Sequence, residues 1–212
     1  MGRAETKAAS RRWFDRRARG YERGWDSGWL AGMQREALGA LQLTPPDRFL
    51  DVGCGPGAAL RDAAPTVTRA VGIDLSPEMI VRASAKVRDL DNVELCVADS
   101  EHLPFGDATF TVVLCSTSFH HYPDPGAAVR EMARVLEPGG RLVLGDACSD
   151  LVAARVADVL LRRFEPGHVH LYRSAELGGF LYEAGLTNVR RRRLSSGGYA
   201  IVHGTMASSP PL

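Results

Sequence analysis

The sequence lacks a surplus of charge, a cysteine framework and any long apolar run. Its 212 residues carry 26 Lys+Arg against 25 Asp+Glu, a balance that argues against bulk binding to nucleic acid or a membrane surface. The four cysteines lie far apart without a C-x-x-C pair, which indicates buried, reduced thiols of a cytosolic protein rather than disulfides or a zinc site. No stretch approaches 18 consecutive apolar residues, so no transmembrane helix is predicted.

Glycine, by contrast, is concentrated in one informative stretch, residues 49–60, which reads FLDVGCGPGAAL. Glycines let a strand turn sharply into a helix and let the backbone approach a ligand. Pro56 suits the first turn of that helix, whose free N–H groups favour polar or anionic ligand groups. The spacing of Gly53, Gly55 and Ala58 fits the loose dinucleotide pattern, although a tight connection without a ligand produces the same pattern.

Three acids accompany this turn, each close to the carboxyl end of a predicted strand. Asp51 lies on the strand that leads into the glycines, and Asp99 follows the third strand. Asp74 ends the second strand 21 residues after Gly53, the distance at which a strand end presents an acid to ribose hydroxyls. The three acids are therefore expected to surround the glycine turn.

Segments with strand and helix character alternate along the chain, which predicts an α/β fold with a mostly parallel sheet and helices on both faces. The predicted strands span 49–52, 67–73, 93–97, 110–115 and 141–145, and the predicted helices 4–43, 56–64, 77–88, 125–136, 151–164 and 174–184. The Pro-Gly-Gly at 138–140 is expected to end the helix before it. Segments 188–194 and 199–206 predict an antiparallel hairpin, whose arginines at 190–193 are expected to protect an edge strand rather than to bind RNA.

The chain resembles the class I S-adenosylmethionine-dependent methyltransferases, especially the small-molecule group related to quinone biosynthesis. The resemblance rests on the motifs DVGCGPG, GIDLSPEM, VADSEHLPF, SFHHYPDP and LEPGGRLVLGD within residues 49–146. It implies a Rossmann-like, mostly parallel seven-stranded sheet with a C-terminal antiparallel hairpin. It also implies one domain, divided into a helical cap (1–44), a cofactor-binding core (45–146), a substrate cover (147–173) and a final helix and hairpin (174–206).

S-adenosylmethionine is the cofactor that this resemblance implies. Asp74 would accept from the ribose hydroxyls, Leu75 and Met79 would flank the adenine, and Asp99 would accept from the adenine amino group. The Ser100 amide would meet a ring nitrogen, while the glycine turn, Ser116 and Asp51 would serve the methionine moiety. The residues predicted to bind the cofactor are thus Asp51, Gly53, Gly55, Asp74, Leu75, Met79, Asp99, Ser100 and Ser116.

Two residues at neighbouring strand ends are candidates for catalysis. His120 follows the fourth strand and Asp146 ends the fifth, so both are expected at the edge that faces the substrate crevice. A histidine oriented by a carboxylate is the arrangement that an O-methyltransferase would use on a hydroxyl. The alternative is that His120 and His121 only shape a loop and that Asp146 caps the next helix.

Acceptor binding is predicted at three further residues. Tyr21 belongs to an N-terminal segment that resembles the family's F-D-x-x-A-x-x-Y-[DE] cap, although its rings would also pack on the core. His168 and His170 lack a third ligand nearby in sequence, so they are expected to line the cover rather than bind a metal. Two other functions stay open, a cofactor-binding protein without catalysis and an NAD-dependent oxidoreductase. The second explains neither Asp51 nor the Asp99 motif.

Overall fold

The computed structural model describes residues 2–18, 20, 27–194 and 198–208. Within them, seven strands form one sheet, and they are β1 (Arg48–Val52), β2 (Arg69–Asp74), β3 (Val93–Val97), β4 (Phe110–Ser116), β5 (Leu136–Ala147), β6 (Leu186–Arg193) and β7 (Tyr199–Met206). Their order is β3-β2-β1-β4-β5-β7-β6. All neighbours pair in parallel except β7, which runs antiparallel to both β5 and β6. This arrangement confirms the predicted mostly parallel sheet with its C-terminal hairpin.

The helices are α1 (Arg3–Arg17), α2 (Ser27–Ala40), α3 (Ala58–Ala63), α4 (Pro77–Val87), α5 (Pro125–Arg134), α6 (Val152–Phe164) and α7 (Ser174–Glu183), with a 3-10 turn at Phe119–His121. Helices α2 and α3 pack on one face of the sheet and α5 and α7 on the other. The central strand β4 is therefore buried almost throughout, as its apolar sequence predicts for a strand between two helical layers.

Local chemistry explains where α4 and α7 begin. The Ser76 hydroxyl accepts from the Met79 N–H at 3.2 Å and Pro77 opens the helix, as the sequence predicts. The sequence also predicts Ser174 as the cap of α7, but Ser174 is the first helical residue, and the residue before it, Arg173, donates its N–H to Glu176 at 2.6 Å. Both helices thus start at the predicted residue within one position.

The single helix predicted over residues 4–43 is wrong, since the structure has two helices there, α1 and α2. At two other boundaries, backbone geometry or sheet pairing overrides local propensity. Pro56 lies in the turn ahead of α3 rather than in its first turn, because Gly57 takes a left-handed conformation (φ 82°) before the helix. Strand β5 begins at Leu136, so the Pro-Gly-Gly segment 138–140 lies within the strand and not at the end of a helix. Leu136 pairs with Phe110 of β4, which draws this segment into the sheet.

Candidate active site

A cavity lies at the carboxyl ends of β1, β2 and β3, beside the turns that lead from β1 and β2 into α3 and α4. Seven of the nine residues predicted to bind the cofactor line it, and they are Gly53, Gly55, Asp74, Leu75, Met79, Asp99 and Ser100. Ser116 lines a second cavity that shares Gly53 and Gly55 with the first. Asp51 is buried beneath the glycine turn. The strand ends therefore bring the predicted residues together, while their roles toward the cofactor stay predictions.

Asp74 connects the glycine turn to the start of α4. Its carboxylate accepts from the Gly55 N–H at 2.9 Å and from the Ser76 N–H at 2.8 Å. Burial raises the pKa of Asp74 to about 6, although these two backbone donors favour the ionised form. An ionised Asp74 therefore holds the turn in place and still offers lone pairs to a ligand in the cavity.

Gly53 shows why the turn needs glycine. Its backbone has a φ of +76°, which L side chains rarely adopt, and a Cβ at this position would lie 2.5 Å from the Ser118 hydroxyl oxygen. The Ser118 hydroxyl in turn donates to the Val52 carbonyl at 3.3 Å. The loop that follows β4 consequently packs directly on the glycine turn, and no side chain fits between them.

Asp51 is a buried acid without a counterpart. It is 1% exposed, and neither carboxylate oxygen has a hydrogen-bond partner among the residues that the structure describes. Burial, followed by the charge of Asp74, raises the pKa of Asp51 to about 8. An unpaired buried carboxyl is costly, and the contact predicted with the methionine moiety of the cofactor, which brings a charged amino group, would offset this cost.

Helix α1 covers the cavity and contributes residues that the sequence does not reveal as part of the site. The Lys7 ammonium lies 2.6 Å from Asp99 Oδ2 and 2.7 Å from Glu101 Oε2. The Phe14 ring meets His121 edge to face with 4.8 Å between centroids. The resemblance to the family's cap motif does indicate that Phe14 belongs to the site. Nothing in a polar, charged helix singles out Lys7.

His120 and Asp146 are in direct contact, as their positions after β4 and at the end of β5 predict. The His120 Nδ1 lies 2.7 Å from Asp146 Oδ1, and the His120 backbone N–H donates to Oδ2 at 2.8 Å. Since a carboxylate only accepts, Nδ1 of the neutral ring carries the proton and Nε2 keeps its lone pair. Burial alone would lower the pKa of His120, but the Asp146 charge and hydrogen bond outweigh it, so this pKa lies above its usual value.

The neighbouring His121, and not His120, lines the first cavity. Its Nδ1 lies 3.1 Å from the Gly167 carbonyl oxygen, and burial together with the charge of His120 holds its pKa well below the usual range. His121 is therefore a neutral ring in the cavity wall. His120 lies one residue away, with its ring centroid 4.0 Å from that of His121.

His168 and His170 gather around Asp158 of α6 instead of lining a described cavity. His168 Nε2 and His170 Nδ1 lie 2.8 and 3.0 Å from the Asp158 carboxylate. The segment is nevertheless coupled to the catalytic candidates, because the Val169 and His170 N–H groups donate to the His120 carbonyl. The described ranges contain no group of His, Cys, Asp and Glu that could hold a metal ion. Tyr21 lies outside the described residues.

Comparison with known proteins identifies the family. The family described as "Methyltransferase domain" matches residues 50–144. A demethylmenaquinone methyltransferase of Mycolicibacterium vanbaalenii is 31% identical over 194 residues, which are 82% of this chain and 83% of that one. The chain belongs to the S-adenosylmethionine-dependent methyltransferases. A ubiquinone biosynthesis O-methyltransferase of Ralstonia nicotianae is 32% identical over 78% of this chain and 76% of its own length.

Other relatives match over a smaller share of their length. A 27-O-demethylrifamycin SV methyltransferase of Amycolatopsis mediterranei is 43% identical over 51% of this chain, which spans only 41% of that relative. In structure, the chain is similar to the methyltransferase in complex with the Trm112 activator of Haloferax volcanii, with a TM-score of 0.81, 23% identity and coverage of 92% and 97%. This likeness shows the fold alone. None of these findings supports the oxidoreductase alternative.

The residues of this methyltransferase fit its cofactor. S-adenosylmethionine carries a charged amino group and a ribose diol, and the site offers the unpartnered Asp51 carboxyl and the Asp74 carboxylate beside the same glycine turn. Asp99 and Ser100 line the same cavity, and the adenine is expected beside them. The clash that a Cβ at Gly53 would cause further indicates a turn shaped to keep side chains out of the site.

Proposed function

We propose that this methyltransferase acts on a hydroxyl of a small molecule, with His120 as general base and Asp146 as the residue that positions it. The observation that carries the proposal is the contact of 2.7 Å between His120 Nδ1 and Asp146 Oδ1. Because Nδ1 faces Asp146, the Nε2 lone pair of His120 is directed away from that carboxylate. An amine or carbon acceptor gives no reason for such a pair beside the site.

The cofactor supplies an already activated methyl group, so the chain has two tasks toward the acceptor. It holds the hydroxyl in line with that group, an effect worth up to about 7–11 kcal/mol in well-oriented systems. It also removes the hydroxyl proton, which moves to His120 Nε2 as the oxygen forms its new bond. The buried Asp146 carboxylate stabilises the resulting imidazolium, and a base of this kind contributes roughly 10²–10⁴-fold.

The names of two relatives support a hydroxyl as acceptor. The Ralstonia nicotianae relative is an O-methyltransferase of ubiquinone biosynthesis, and the Amycolatopsis mediterranei relative acts on 27-O-demethylrifamycin SV. We further propose that the cover over residues 147–173, with His168 and His170, and the cap over residues 1–44, with Tyr21, decide which hydroxyl is accepted. Variable segments that surround a rigid sheet are where such specificity resides.

The test is a methylation assay with a panel of small phenols and alcohols, compared with amines of the same skeletons. We expect turnover on one or more hydroxyl compounds, and a loss of about 10²–10⁴-fold in His120→Ala with cofactor affinity nearly intact. His203→Ala on β7, which pairs with β5 and β6 away from the dyad, is the matched control. Full turnover of His120→Ala on the accepted compound contradicts the proposal. Cofactor binding without any methylation favours the non-catalytic alternative.

A further inference from the structure

Helix α6 exposes its apolar side and buries an acid. The exposed large apolar side chains of the helix are 54–72% exposed, and they are Val152, Val156, Val159, Leu160 and Phe164. The buried residue of α6 is Asp158, 5% exposed. A surface helix normally turns its apolar stripe toward the core, so α6 is amphipathic in the reverse sense.

Three hydrogen bonds from outside the helix fix this orientation. The Asp158 carboxylate accepts from the Leu171 N–H at 2.8 Å and from His168 and His170 at 2.8 and 3.0 Å, and Arg162 of the same helix also donates to it at 2.6 Å. Rotating the helix to bury its apolar stripe would break these bonds and leave several polar groups unpaired, at about 1–3 kcal/mol each. The apolar stripe is therefore held outward by the fold.

The charges on α6 indicate what covers the stripe. Apart from Asp158 and Arg162, which form an ion pair with each other, the charged residues of α6 are Arg155 and Arg163, so the exposed side carries positive charge and no acid. Arg163 extends beside Phe164, with its guanidinium 5.7 Å from the ring centroid. An apolar stripe bordered by arginines matches an anionic lipid surface, where acyl chains meet the valines, leucine and phenylalanine and phosphates meet the guanidinium groups.

A second copy of the chain fits this helix less well. Thirteen residues make a helix about 20 Å long, which is too short for the ~800 Å² that each partner of a stable dimer buries. Pairing two copies of α6 would also bring arginines against arginines. The balanced charge of the whole chain, which argues against membrane-surface binding, does not describe this local surface. No described helix is long and apolar enough to cross a bilayer, so the contact would be peripheral.

We propose that α6 is an interfacial helix that docks this methyltransferase on anionic lipid bilayers. The segment of residues 168–171, which hydrogen-bonds to Asp158, also donates from Val169 and His170 to the His120 carbonyl. Docking would therefore bring the His120 loop to the lipid surface. An apolar acceptor dissolved in the bilayer could then reach the dyad. That consequence alone rests on the proposed function, whereas docking does not.

The experiment is cosedimentation of the full chain with vesicles of phosphatidylcholine alone and of phosphatidylcholine with phosphatidylglycerol, without acceptor. We expect at least tenfold tighter partition onto the anionic vesicles, weakened by salt. The double variant Val156→Gln, Val159→Gln should lose at least tenfold, because glutamine keeps the helix while removing apolar area. Arg163→Gln should reduce the preference for anionic vesicles. Val81→Gln on α4, where the valine is 61% exposed, is the matched control and should bind like the wild type.

Circular dichroism and cofactor titration check that the variants are folded. Equal partition of the wild type and the double variant, or no binding of the wild type to either vesicle, overturns the proposal. So does a wild-type dimer in sedimentation velocity that the double variant dissociates, since α6 would then cover a second copy. The assay involves no methyl transfer, so a failure of the proposed function would leave its result unaffected.

Discussion

The Lys7 ammonium is bound between Asp99 and Glu101, at 2.6 and 2.7 Å, so a residue of α1 neutralises the acid predicted to accept from the adenine. Helix α1 is polar, and its contacts with the cavity rim include a 2.6 Å hydrogen bond from the Ser76 hydroxyl to Asp15. The cavity beneath it measures about 90 Å³. Since ligand pockets usually hold ~300–1,000 Å³, we expect α1 to move when the cofactor enters.

The first prediction concerns this contact. Lys7→Met should make cofactor association and dissociation several-fold faster, up to about tenfold, because it removes charged hydrogen bonds that hold α1 over the cavity. The rates of the wild type should approach those of the variant as ionic strength rises and screens the ion pairs. Stopped-flow fluorescence measures both rates. Arg12→Met, on the exposed side of the same helix, is the control. If Lys7→Met has the same rates as the wild type, the Lys7 ion pairs do not hold α1 over the cavity.

The second prediction concerns Asp74. Asp74→Ala should weaken cofactor binding by about 1.5–3 kcal/mol, the range for hydrogen bonds to a charged group, because it removes the proposed ribose acceptor and releases the Gly55 N–H. Since the pKa of Asp74 is raised to about 6, wild-type affinity should also fall as the pH drops through this value. Calorimetric titration between pH 5 and 8 measures both effects. Asp91→Ala, exposed in the turn before β3, should change neither.

Much of this site could be predicted because its residues belong to local motifs. The glycine turn and Asp74 are defined by a strand, a turn and a fixed spacing. The parallel pairing of β1 with β2 then brings the carboxyl ends of both strands to the same edge of the sheet. His120 and Asp146 were predictable for the same reason, since His120 lies in the turn after β4 and Asp146 near the carboxyl end of β5. The contact between them still depends on β4 pairing with β5, which the order of elements only implies.

The remainder depends on distant contacts that no local pattern encodes. Lys7 and Asp99 are 92 residues apart, and no local pattern around either residue predicts contact with the other. The α6 sequence predicts an amphipathic helix but not which side faces inward, because that is decided by hydrogen bonds from residues 168–171 to Asp158. Strand β5 begins early for a similar reason, since the pairing of Leu136 with Phe110 overrides the turn preference of Pro-Gly-Gly.

The third prediction concerns stability and the unpartnered Asp51. Its pKa is raised to about 8 in the folded chain, whereas an unfolded aspartate titrates near 3.9. Between these values the folded state binds one more proton than the unfolded state. The contribution of Asp51 to stability is therefore fully present below about pH 4 and is lost, at about 1.4 kcal/mol per pH unit, as the pH rises toward 8.

Asp51→Asn removes this titration. Between pH 5 and 8, the free energy of unfolding of the variant without cofactor should fall less steeply with pH than that of the wild type. Urea unfolding at matched pH values measures the difference between the two slopes, which separates Asp51 from every other titrating group. Parallel slopes would mean that Asp51 is ionised in the folded chain. The variant should also bind the cofactor more weakly, because it lacks the carboxylate proposed for the charged amino group.

The last prediction concerns the pH dependence of turnover. If His120 is the base, it must be neutral, and because its pKa lies above the usual 6.5, turnover should rise with pH around a midpoint above 6.5. Asp146→Asn removes the charge that raises this pKa and leaves burial to lower it, so the midpoint should move to lower pH while the plateau falls. A merely structural Asp146 would lower the plateau and leave the midpoint unchanged. In the double variant with His120→Ala, the losses should be less than additive, because the two residues act as a unit. Initial rates between pH 5.5 and 9 at saturating cofactor distinguish these outcomes, and identical midpoints in the wild type and Asp146→Asn would mean that Asp146 does not act on the group that titrates.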